Sequence, residues 1–114
     1  MLKKYAIKHL AGKEEGGEYV LGLKDLHTHA CYLIYGELAP GEEGRKICPG
    51  EGHEEILMAV KGELEVSGGG FDGTLAEGEA AHFRGAEECI LKNPGTGPAA
   101  YVLAGGHSEE GHHH

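Results

Sequence analysis

The chain has 114 residues, enough for one core and one domain, and carries twenty-one glycines, four prolines and a formal charge of −9. A basic face for phosphate is missing from such a composition, which argues against a nucleic-acid partner. Three cysteines are an odd number and do not make a disulfide framework.

No apolar run approaches the ~20 residues needed to cross a membrane. The opening MLKKYAIKHL has lysines but neither an apolar stretch nor a small-residue cleavage site, so no signal peptide is expected, and a cytoplasmic protein is. Residues 2 to 10 fit a short strand or one helical turn equally. Gly12 to Gly17 reads as a charged glycine loop. Glu18 to Leu26 places Tyr19, Leu21 and Leu23 on one parity, as in a strand. Thr28 to Leu38 is a longer aromatic and aliphatic run ended by Pro40-Gly41, and Gly41 to Gly52 reads as a loop carrying Arg45, Lys46 and Cys48.

Glu51 to Val66 is the centre of the chain. Ile56, Met58 and Val60 alternate with Leu57 and Ala59, the pattern of a strand buried on both faces. Gly62 marks a reversal, and Leu64 and Val66 resume the alternation. Phe71 and Leu75, then Glu79 to Arg84, Glu88 to Lys92 and Pro98 to Ala104, supply further short strands between Gly and Pro turns. Nothing shows a helical period over ten or more residues, and many short strands with regular turns predict an all-β sandwich or barrel. A single domain over residues 1–109 is expected. Residues 110–114 end in EGHHH, which reads as part of an expression tag, so His112 to His114 are set aside.

Two motifs make the chain resemble the cupin family. Glu55 is followed by six residues and Gly62, with Pro40-Gly41 as the turn before; Gly78 and Asn93 stand at the separation of the second motif's Gly and Asn, with fifteen residues between Gly62 and Gly78. The likeness covers roughly residues 30 to 104 and implies a double-stranded β-helix, or jelly-roll barrel, as a single cupin domain. It also implies a homodimer. The family's metal is held by two His of a His-x-His, by the Glu and by the second motif's His. Here the paired positions fall on Cys48 and Gly50 or on Pro49 and Glu51, and the last position is Cys89. Only Glu55 of the usual four remains.

Candidate groups follow from this pattern. His53 shares the parity of Glu55, so an imidazole and a carboxylate lie on one strand face, fit for a metal or for acid–base work. With Cys48 and Cys89 they would form a mixed set suited to one divalent transition metal of the zinc, iron or nickel class. A rim glutamate, a solvated histidine and a buried apolar Cys89 are the bland alternatives. His82, Glu51, Tyr35 and Tyr101 are candidates for lining a ligand pocket; His27 and His29 form a His-x-His before the first motif, on one face with Cys31. Arg45, Lys46 and Arg84 would suit an acidic ligand or plain solvation. Three functions stay open. The first is a cupin binding a metal ion or a small molecule through atypical ligands. The second is a metal-free binding or sensory module for a sugar or organic acid. The third is a thiol redox role for Cys48 and Cys89. Whether the chain is an enzyme is not decided.

Overall fold

A computed structural model describes residues 2–70 and 72–108 of the chain. Its elements are α1 (Ile7–Gly12), β1 (Glu18–Leu21), α2 (Leu23–Leu26), β2 (Cys31–Leu38), β3 (Glu43–Ile47), β4 (His53–Lys61), β5 (Leu64–Ser67), β6 (Gly73–Leu75), β7 (Ala80–Arg84), β8 (Cys89–Lys92) and β9 (Ala99–His107). The strands form two antiparallel sheets, ordered β1-β2-β9-β4-β7 and β3-β8-β5-β6. No strand pairing joins the two sheets among the described residues, so the interior lies between sheets rather than inside a closed ring.

Period-two alternation decides what enters that interior. On β4, Glu55, Leu57 and Ala59 point inward and are buried, and β2 and β9 add Leu38, Tyr101 and Leu103. The facing sheet contributes Ile47, Leu64, Val66, Cys89 and Leu91, and all except Glu55 join one core cluster with Phe83 of β7. Each large apolar side chain so buried contributes roughly 1.5–3 kcal/mol. The expectation that β4 is covered on both faces holds only in part: Ile56 is 51% exposed, while Met58 and Val60 on the same face are half-buried, Val60 against Ala11, Tyr35 and Ala100.

Several boundaries differ from the sequence reading for local reasons. The 41–52 segment, expected as loop, holds β3. Only Ile47 of that strand is buried, and a register shift between Glu43 and Arg45 hides its alternation. The 18–26 strand stops at Leu21 and a four-residue helix follows. β9 runs three residues past Ala104, through Gly105 and Gly106, because its partners on β2 and β4 continue alongside. The β4–β5 reversal is at Gly62 (φ +71°), a conformation that favours glycine. Phe71 and the suspected tag lie outside the described residues.

Two polar groups lock one end of the sandwich. Asn93 is buried; its amide donates to the carbonyls of Leu38, Ala39 and Gly97. Arg45 donates to the Tyr101 hydroxyl (2.9 Å), to Glu42 (2.9 Å) and to the Gly16 carbonyl (2.5 Å), and Tyr101 donates to Glu18. These bonds satisfy groups that would be costly to bury alone.

Candidate functional site

At the other end, β4 begins, β9 finishes and β2 begins. β9 lies between the other two, so Gly105 pairs with both Tyr32 and Glu55, while His107 pairs with His53. Inward parity therefore gathers Tyr32, His53, Glu55 and His107 on one face. Gly105 is what lets them meet. A Cβ there would overlap the Tyr32 ring; without one, the ring lies across β9 and its hydroxyl donates to Glu55 Oε2 at 2.5 Å. Burial, followed by this hydrogen bond, pushes the Tyr32 hydroxyl well above its ordinary range, so it stays a donor.

A row of rings continues outward. Tyr32 and His53 have centroids 6.1 Å apart edge to face, His53 and His107 stack at 5.4 Å, and His107 and His29 meet at 6.5 Å. His53 Nδ1 lies 3.2 Å from the Glu51 carbonyl oxygen. A hollow of about 310 Å³ opens here, lined by Tyr32, His53, Glu55 and His29, with Val20, Leu23 and Pro49 as its apolar wall. A larger hollow of about 800 Å³ runs along α1, but its Lys8, His9, Lys13 and Glu37 include no buried ionisable group. The smaller one has convergent polar groups beside a buried carboxylate, the combination that marks a binding site.

The four expected metal ligands divide. Glu55 and His53 are in the hollow. Cys89 faces the same interior from the opposite sheet, fully buried; its thiol is pushed up to about 11 by burial, then by Cys48 and Glu55 nearby. Without a metal beside it the group therefore stays S–H. Cys48 is exposed and its Sγ lies 4.0 Å from the Gly85 carbonyl; all three cysteines are free thiols. Among the described residues no three His, Cys, Asp or Glu side chains are disposed to hold a metal ion. The donor set does not fit the family's metal: of the four expected ligands, only Glu55 and His53 border the hollow.

The expected pocket residues are mostly elsewhere. His82 points outward from β7, since Phe83 takes the inward place, and it meets Glu54 at 2.7 Å. That hydrogen bond, with one from Ser108, holds the Glu54 carboxyl below its usual range. Tyr35 lies on the outer face with Ala11 and Ala100, bonded to Glu37, its hydroxyl pushed up to about 12 by burial. Tyr101 is fully buried in the Arg45 lock. Glu51 is exposed and offers His53 only its backbone oxygen. His27 has φ +58°, which ends the alternation with His29, so only His29 reaches the site. Arg45 is engaged in the lock and Lys46 pairs with Glu88 at 3.3 Å. His107 escaped the sequence reading, since it lies beyond the expected end of β9, and Tyr32, which the sequence leaves open between barrel wall and pocket lining, is found in the hollow. Continuing the alternation Tyr101, Leu103, Gly105 would have reached His107.

No family model matches the chain, and no curated protein does. Solved structures do resemble it. The protein TT1209 of Thermus thermophilus is 20% identical, with 93% of this chain and 98% of that one covered and a TM-score of 0.69. A Cupin_2 domain of an XRE family transcriptional regulator from Enterobacter cloacae is 23% identical, covering 81% and 98%, with a TM-score of 0.65. An oxalate oxidase is 22% identical over 83% of this chain and 53% of its own, with a TM-score of 0.68. The chain has the cupin fold, the double-stranded β-helix expected from its motifs. Fold alone does not fix the activity.

Proposed function

We propose that this chain is a small-molecule-binding cupin whose inner carboxylate works without a metal ion. The observation that carries the reading is the 2.5 Å bond from Tyr32 to buried Glu55. A buried carboxylate needs a cation, a metal or a donor, and here a tyrosine hydroxyl supplies the donor. The hollow beside it, about 310 Å³ with polar groups on one side and apolar residues on the other, is within the size range of small-ligand sites. Binding rather than thiol redox is favoured because Cys89 is buried and protonated. Three free thiols suit a reducing, cytoplasmic setting. Among the described residues no helix is long and apolar enough to cross a membrane. The expected homodimer has a candidate surface in the outer face of the five-stranded sheet, around exposed Ile56.

The test is NMR of chelator-treated protein screened with mixtures of small molecules. Saturable shifts at Tyr32, His53 and Glu55 without added metal are expected. Shifts there only after a metal is restored would overturn the reading.

A further inference from the structure

We infer that the hollow takes a neutral, polyhydroxylated molecule of about monosaccharide size in preference to an organic acid, an inference that rests on the metal-independent binding site above. Glu55 Oε2 is taken by Tyr32. Glu55 borders the hollow, and a carboxylate accepts more hydrogen bonds than the one from Tyr32, so its oxygen is available there as an acceptor. Such an atom calls for a hydroxyl or N–H from the ligand; an acid would bring a second negative charge against it.

Nothing in the lining offsets that charge. Among the described residues no lysine or arginine borders the hollow, and the whole chain stands at −9. The groups that do face it suit hydroxyls instead. An imidazole without its extra proton offers one N–H and one lone pair, so His29 can serve a hydroxyl in either sense, while His53, whose Nδ1 donates to the Glu51 carbonyl, accepts from one at Nε2. The Tyr32 ring edge, Leu23 and Pro49 give apolar contact for the C–H faces of a hydroxylated ring. His107, stacked 5.4 Å behind His53, holds that imidazole in place.

The experiment follows the imidazole NMR signals of His29 and His53 in a chain with His112, His113 and His114 replaced by alanine. D-glucose, D-xylose and myo-inositol are titrated separately at mildly alkaline pH, against oxalate and succinate at matched ionic strength. At least one polyol is expected to give saturable shifts at both histidines. His29→Ala, outside the core, is expected to weaken that binding several-fold, and Glu55→Gln about tenfold, the difference between a charged and a neutral acceptor. Saturable shifts with an acid and none with a polyol would overturn the class while leaving the pocket in place. Silence at both histidines with every probe would overturn the class and the pocket together.

Discussion

Tyr32→Phe removes one oxygen atom and leaves the ring over Gly105, so it isolates the bond at the centre of the site. The hydroxyl donates to Glu55 Oε2 at 2.5 Å, and Glu55 is 5% exposed. A hydrogen bond to a charged group contributes about 1.5–3 kcal/mol, and its loss leaves a buried acceptor without its donor. For a domain of this size 1 kcal/mol corresponds to roughly 4 °C, so a fall in Tm of roughly 6–12 °C is expected. Thermal unfolding of wild type, Tyr32→Phe, Glu55→Gln and the double variant measures the coupling directly, and a coupling of about 1–2 kcal/mol is expected. The sign with pH also follows. The Tyr32 pKa is raised above its unfolded value, so its contribution is complete below about pH 10 and fades as pH rises through the folded value. The difference between wild type and Tyr32→Phe should be constant near neutrality and shrink in strong alkali. A change under about 0.5 kcal/mol, the size of an ordinary surface substitution, with additive variants, would refute the reasoning.

Three further outcomes are expected. Gly105→Ala forces the Tyr32 ring aside and should cost about 2–4 kcal/mol in denaturant unfolding, combining overpacking with the lost bond. Gly12→Ala, whose Cβ meets nothing within 4 Å, is its control and should not destabilise. Thiol titration with a chromogenic disulfide should modify Cys31 and Cys48 in the native protein and reach Cys89 only on unfolding; three fast equivalents would contradict its burial. Ultraviolet absorbance during alkaline titration should show Tyr32, Tyr35 and Tyr101 ionising above the usual ~10. Their ionisation near that value while the chain remains folded would count against the buried hydrogen-bonded hydroxyls.

Glu55 was legible because a carboxylate opening an apolar strand, with six residues between it and a turn glycine, has few uses. Its partner was not, since Tyr32 becomes a donor only through the order β2-β9-β4 and a side-chain-free position at Gly105 between them. No local pattern records a contact made across a third strand. His82 was ambiguous by parity alone, and the larger apolar Phe83 decided which face turned inward. β3 was hidden because an edge strand with a bulge buries one residue, leaving no alternation to read. His107 was lost behind two glycines that look like a turn yet continue a strand paired on both sides. Cys48 and Cys89 took their candidacy from family positions, and it was burial, which spacing does not reveal, that separated them.

Metal content after loading tests the central claim most directly. The full chain with His112, His113 and His114 replaced by alanine is exposed to zinc, nickel, iron(II) and manganese salts, dialysed and analysed for bound metal beside its Glu55→Gln counterpart. With Tyr32 on the inner carboxylate, bound metal should be substoichiometric and the same in both proteins. One ion per chain, lost on Glu55→Gln, would contradict the account.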